Sequence, residues 1–378
     1  MDSTSKIRRS LCALGLAAAA ALPVFSVQAQ FGPIKFGVTY PLTGAFAGFA
    51  KEQILGMEMA VADINAKGGV KGRQIQLVYE DTRGTPEGGV AAFRKVTEID
   101  KVPVVLSIFT NVVTAQLPLA DQLKIPMISG VEAPGLSARA QYAFAHSNRS
   151  ARALNMLSLH LKSLGVKKAF TFMPDNAFGE DISKSAQEAV GAAGAQYAEA
   201  RFRLGQPEYR GIVARAKEFN PDVILIATQG TADDGNVVKQ LREIGVNAPI
   251  FISANLFDVK AWRDSVGTYV EGMTMVGPNV DVTDPKGKDF STRFKAKHGR
   301  NPNYLQGTLY DMVAMYAAAI EKVGTDGTAI RDYLVGLKDF PSAMGGRFGM
   351  GPDRQTVMAI NLWRVKGGEL MKILPGQK

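Results

Sequence analysis

The stretch "IKFGVTYPLTGAFAGFAKEQILGMEMAVADINAKGGVKGRQIQLVYED" (residues 34–81) decides the fold. It opens on "IKFGVTY" (34–40), whose β-branched and aromatic residues predict a strand, and breaks at the Pro/Gly-containing "PLTGAFAG". Ile54, Met57, Val61 and Ile64 then recur at spacings of three and four, the apolar stripe of an amphipathic helix that Gly68 and Gly69 end. A second strand, "RQIQLVYED" (73–81), follows. Strand, helix and strand within about fifty residues is the unit of a parallel sheet with helices on its faces.

The unit repeats. A helix from Pro86 to about Ile99, a strand "VPVVLS", a helix from about Val112 to Leu123 and a strand "IPMIS" complete a first series. After "FAHSNRS" (144–150) a second begins: a helix to Leu164, "KKAFTFM", a helix over Gly179–Ala193, "AQYAEARF", "YRGIVARAKEF", "PDVILIAT", "DGNVVKQLREIG" and "APIFIS". The chain is thus α/β, with two doubly wound lobes of similar build. Beyond Phe257 come a strand "MTMVGPN", two helices and a hairpin turning at Gly367–Gly368, more than one lobe absorbs, so the chain crosses back between lobes.

Composition narrows the function. The 378 residues are 46% hydrophobic and 21% charged, which suits a globular chain and excludes disorder or a fibre. Lys6, Arg8 and Arg9 precede "LCALGLAAAAALPVF", and Val27 and Ala29 precede Gln30, the pattern of a secretory signal peptide over residues 1–29. Cys12, the only cysteine, falls inside it, so the mature chain has no thiol for catalysis or metal binding. The net charge is +9, and the leader holds three basic residues and one acid, leaving about +7. Basic and acidic residues alternate without a dense Lys/Arg block, which argues against nucleic acid.

Catalytic patterns are missing. His146, His160 and His298 are far apart and show no metal-ligand spacing, and each reads as a surface or cap residue. There is no G-x-S-x-G elbow, no phosphate-binding G-x-x-x-x-G-K-[ST] loop and no G-x-G-x-x-G after the first strand. The acid pairs Glu80–Asp81, Glu180–Asp181 and Asp233–Asp234 read as solvated or capping groups. What remains is a set of strand-end loops rich in small polar and aromatic residues: Tyr40, Phe46, Phe49, Phe109, Phe178 and Phe257, with Gln229 in "TQGTADDG". In "VVLSIFTNVVTAQ" (104–116), Ser107, Thr110 and Asn111 crowd a strand-to-helix join. Alone that favours a helix cap; at the rim of a cleft it favours holding a small anion on the same free N–H groups.

At these residues the chain resembles the periplasmic solute-binding proteins of ABC transporters, in the Leu/Ile/Val-binding branch. The carriers are the opening stretch, "DTRGTPEGGVAAFRKV", "IPMIS", "DNAFGED", "FNPDVILIA" and "KQLREIGVNAPIF", with "ADINAKGGVKGRQIQLVYED" the most specific. The resemblance implies a type I periplasmic binding protein fold, two lobes joined by three crossings near Asn148, Gly277 and Arg347. Residues 30–147 and 278–346 would form lobe I, and 148–277 and 347–378 lobe II. It implies a periplasmic monomer without catalytic activity or cofactor, which captures a small-molecule ligand and hands it to a membrane permease.

Carried over by position, the ligand carboxylate would meet Thr110 and Asn111 beside Phe109, and the loop Val131, Glu132 and Ala133. Phe178 would cover the ligand. The acid that takes the ligand ammonium in amino acid binders aligns with Asn255, next to Phe257. A buried ammonium without a counter-charge loses several kcal/mol of compensation. Two ligand readings therefore stay open: a carboxylate lacking the α-ammonium, with an aromatic acid as one form, or an amino acid whose charge is met by Asp233, Asp258 or another acid. A hydrolase or an anchored sensor domain on the same scaffold is the alternative of a different class.

Overall fold

In the computed structural model, residues 32–131, 136–147, 151–229, 231–254 and 256–377 are described, and Pro33–Lys378 form one compact unit. The expected leader, Cys12, Glu132, Ala133, Asn148 and Asn255 lie outside the described residues.

The first series folds as β1 (Ile34–Tyr40), α1 (Ala47–Ala66), β2 (Ile75–Asp81), α2 (Pro86–Arg94, prolonged by a π turn over Lys95–Ile99), β3 (Val105–Ser107), α3 (Thr110–Leu123), β4 (Met127–Ser129), α4 (Leu136–Arg139) and β5 (Ala143–Ala145). Its five strands are all parallel, in the order β2-β1-β3-β4-β5. The second series is α5 (Ala151–Ser163), β6 (Lys168–Pro174), α6 (Ala177–Ala192), β7 (Gln196–Phe202), α7 (Arg210–Phe219), β8 (Val223–Ile226), α8 (Asp233–Glu243), β9 (Ile250–Ile252), α9 (Lys260–Val266) and β10 (Thr274–Gly277). Its parallel strands follow the same order, β7-β6-β8-β9-β10. Both sheets therefore reverse strand order beside their first strand, where a crevice opens at the carboxyl ends.

Local chemistry explains the punctuation. Gly68 and Gly69 take positive φ to stop α1. Thr85 caps α2 by accepting from Gly88 N, with Pro86 in the first turn. Asn176 caps α6. The helices α10 (Pro285–His298), α11 (Tyr304–Val323) and α12 (Gly327–Val335) follow. Asn303 and Gln306 form a reciprocal capping box on α11. Gly56 of α1 is a close-approach glycine, since a Cβ there would lie 2.1 Å from Gln306 O.

The chain does cross back. β10 lies in the second sheet, yet Tyr316 of α11 donates to Val105 O at 2.9 Å and Pro126 O at 2.8 Å at the first. The terminal hairpin β14 (Asn361–Lys366) and β15 (Glu369–Ile373) then adds antiparallel to β10. Between them β11 (Phe340–Pro341), β12 (Arg347–Met350) and β13 (Thr356–Val357) make a small sheet that the sequence pattern did not show. Phe348 of β12 packs into the core of the first sheet.

Two boundaries differ from expectation. β5 belongs to the first sheet although "AFA" carries no β-branched residue, because its three side chains are all buried. And α3 begins at Thr110, two residues early, because Phe109 turns the chain at φ 68°, ψ 125°.

Candidate functional site

Ser107, Thr110 and Asn111, which the sequence crowds together, part company in the fold. Ser107 Oγ donates to Gln116 Oε1 at 2.6 Å, and Gln116 Nε2 reaches Thr39 Oγ1 at 3.1 Å and Gly89 O at 2.9 Å. That closed network ties β1, β3, α2 and α3 together and is spent on structure. Asn111 Nδ2 donates to Gly84 O at 2.7 Å, pinning the start of α3 to the loop before α2. Thr110 Oγ1 is left buried with no partner.

The backbone there is built for something. Phe109, in the N-cap position of α3, has no side-chain acceptor to offer the first-turn N–H groups, and no acid stands in that turn. Its left-handed φ costs on the order of 1–3 kcal/mol for a residue with a Cβ. Ring contacts hold it: the Phe46 centroid lies 4.4 Å away and that of Phe49 6.2 Å. The result is a helix start without a side-chain cap, at the edge of the crevice.

Thr110 lines a cavity whose walls come from the carboxyl ends of both sheets. From the first come Ile108 and Phe109, Gly130 and Val131 after β4, and Ser147 after β5. From the second come Phe178 of α6, Thr228 and Gln229 after β8, and Ser253, Ala254 and Leu256 after β9. Helices α1 and α11 close it with Phe49, Gln53, Tyr304 and Leu305. About 70 Å³ is open to the centre of a water-sized sphere. That is several times the ~10–15 Å³ one water needs, so a small organic molecule fits.

The described lining residues carry no charged side chain. Their side-chain polar atoms are hydroxyls, which donate and accept, and the amides of Gln53 and Gln229, and several are orphaned: Thr110 Oγ1 and both amide atoms of Gln53. Tyr40 OH, also orphaned, lies 3.8 Å from where a Cβ on Gly130 would stand. Burial raises the Tyr40 hydroxyl well above its ordinary pKa and raises that of Tyr304, so both stay protonated donors.

Six of the sequence-derived residues meet here: Phe49, Phe109, Thr110, Val131, Phe178 and Gln229. Asn111 does not line the cavity, because its amide is engaged by Gly84. Phe257 sits in the core of the second lobe, with the Arg263 guanidinium 5.5 Å from its ring centroid. The alternative acids are elsewhere too. Asp233 accepts from Gly205 N at 2.8 Å, Thr231 Oγ1 at 2.7 Å and Tyr209 OH. Asp258, its pKa raised by burial, does not line the cavity.

The Asp233–Asp234 pair is buried in the first turn of α8, so of the two expected roles, solvated or capping, the solvated one does not hold. Asp234 Oδ2 accepts from Trp262 Nε1 at 2.7 Å and from Thr228 Oγ1, and burial pushes its pKa up to about 7. His146 and His160 are likewise fully buried rather than superficial. His146 Nδ1 bonds Thr356 Oγ1 at 2.7 Å, and His160 Nδ1 accepts from Gly376 N at 2.9 Å. Both histidines tie distant parts of the chain.

Gln53, Tyr304 and Leu305 escaped the sequence reading. Gln53 had a signal: it is the polar member of the buried α1 face Ala50, Gln53, Met57, Ala60. A larger cavity, about 280 Å³ by the same measure, lies among α5, α6 and the second sheet, and shares only Ser253 with the cleft among described residues. Asp353 and Gln355 also line it, and Gln355 bridges to Ala145 of β5.

The sequence pattern of the periplasmic binding protein family matches residues 33–369. A relative from Brucella melitensis, Leu/Ile/Val-binding protein homolog 3, is 25% identical over 329 residues, covering 84% of this chain and 87% of its own. Among solved structures, the leucine-binding protein LivK of Thermotoga maritima superposes with TM-score 0.82 at 22% identity, over 90% of this chain and 97% of its own. A solute-binding protein of an R. palustris ABC transporter, in complex with benzoate, gives TM-score 0.80 at 18% identity over 91% and 96%.

Proposed function

The chain belongs to the periplasmic binding protein family, and from that premise we propose that it captures a small carboxylate lacking an α-ammonium, aromatic in its favoured form, and delivers it to an ABC transporter permease. The observation that carries the reading is the orphaned Thr110 Oγ1 beside the uncapped start of α3, in a cavity walled by both sheets. An anion there takes the first-turn N–H groups and the Thr110 hydroxyl together, while Phe49, Phe109 and Phe178 cover its apolar part.

An ammonium group fits less well. The described lining offers it no counter-charge, and its desolvation costs several kcal/mol. The names of the Leu/Ile/Val-binding relatives favour the second reading, an amino acid ligand.

The lobes are part of this proposal. Lobe I comprises the first sheet with α10–α12, lobe II the second sheet with the terminal hairpin. Crossings fall between β5 and α5, at Gly277 and after β12, since Phe348 still packs with the first sheet. Lobe I holds the anion site and binds first; Phe178, Thr228 and Ser253 then close from lobe II. The ligand shifts this hinge equilibrium only by its preference for the closed form, where both lobes touch it. Micromolar affinity corresponds to about −8 kcal/mol.

The test is calorimetric titration of the purified protein with carboxylates and their α-amino counterparts. Binding of the carboxylates, with no turnover of amides or esters, supports the reading. Binding of amino acids alone sinks the ligand assignment.

A further inference from the structure

Among the described residues three glutamines are fully buried: Gln53, Gln116 and Gln306. Two have their amides satisfied. Gln116 is held by Ser107, Thr39 and Gly89, and Gln306 by Glu52 O at 3.0 Å and Asn303 N at 2.8 Å. Gln53 is the exception: neither Nε2 nor Oε1 has a partner, and it is the one of the three that lines the cleft cavity. Burying an amide costs free energy unless both its functions are met, and an apolar residue on the same helix face would avoid that cost. Met57 and Ala60, its neighbours along that face, are such residues.

The amide is also chemically specific. A carboxylate only accepts, so it satisfies Nε2 and repels Oε1. Oε1 requires a donor from the ligand. An ammonium is one, but the described lining gives it no counter-charge; a neutral hydroxyl needs none and both donates and accepts. Aromatic walls at Phe49, Phe109 and Phe178 set the rest of the molecule as a ring.

We propose that Gln53 is a specificity-determining residue that reads a hydroxyl group on the ligand, so that the cleft is made for hydroxylated ring carboxylates in preference to plain ones. This deepens the carboxylate reading above and rests on it. The carboxylate is held at Thr110 and the hydroxyl at Gln53; two adjacent hydroxyls satisfy both amide atoms, one donating to Oε1 and the other accepting from Nε2.

The experiment titrates benzoate, 3- and 4-hydroxybenzoate and 3,4-dihydroxybenzoate into the native protein and into Gln53→Leu and Gln53→Met. The native protein binds its best hydroxylated ligand at least about tenfold more tightly than benzoate, because the unhydroxylated ligand strands the amide. In both variants that ratio falls to within about threefold, while benzoate binds as well as or better than before. Without ligand, the variants melt no lower than the native protein, an outcome that a purely structural glutamine would not give.

A native protein that binds carboxylates without hydroxyl preference overturns the role of Gln53 and leaves the carboxylate reading standing. So does a variant that keeps the preference, or loses benzoate together with the rest. A native protein that binds none of these acids or other carboxylates, or binds amino acids in a Gln53-dependent way, overturns both.

Discussion

Replacing Thr110 by valine isolates one hydroxyl. The two side chains have the same shape, so the change exchanges Oγ1 for a methyl group at a buried position on the first turn of α3. That oxygen has no partner within the protein. Its burial costs about 1–3 kcal/mol that the methyl does not, so Thr110→Val leaves the free protein as stable as before or more so. With ligand bound, the hydroxyl donates to a charged carboxylate, a bond worth about 1.5–3 kcal/mol. Its loss weakens binding by a factor of about 10 to 150, since about 1.4 kcal/mol is tenfold. Urea unfolding measures the first effect and calorimetric titration the second. Unchanged affinity, or a free protein destabilised by more than about 1 kcal/mol, would refute the assignment, the second because it would mean the hydroxyl serves the fold.

Asp234, with a pKa of about 7 when folded, takes up a proton on folding between about pH 4 and 7. Stability from this group is therefore fully present below its unfolded pKa and is lost as pH rises through 7. Urea unfolding of Asp234→Asn across that range should give a flatter profile than the native protein, its relative stability growing toward neutral pH; parallel profiles would contradict the raised pKa. Gly56→Ala forces a Cβ onto Gln306 O, so α1 and α11 must separate. Overpacking of this kind costs about 1–3 kcal/mol or more in the same assay. Because Tyr304 and Leu305 line the cavity from the start of α11, it should also weaken ligand binding; a variant neutral in both would show that the helices have room to spare.

Much of the fold is written locally. Periodicity at Ile54, Met57, Val61 and Ile64, and glycines at 68 and 69, suffice for α1 because they act through neighbours in sequence. β5 escapes because three buried residues, none β-branched, owe their strand to β4 beside them, a contact that periodicity does not carry. The site is legible to the level of loops and no further. Thr110 and Asn111 are equivalent polar residues in sequence; the remote carbonyl of Gly84 makes one structural and leaves the other free. The burial of Asp233 and Asp234 is not legible because nothing near them in sequence announces Trp262, Tyr209 or Gly205. Gln53 sat in plain view on a buried helix face. Only the cavity opposite it distinguishes an orphaned amide from one satisfied like Gln116.

The central claim is that the cleft holds a carboxylate without an α-ammonium. The most direct measurement is a paired titration of the native protein with leucine and 4-methylpentanoate, and with phenylalanine and 3-phenylpropanoate. The account predicts that in each pair the acid without the amino group binds more tightly. Tight binding of leucine or phenylalanine with no binding of their deaminated partners would contradict it.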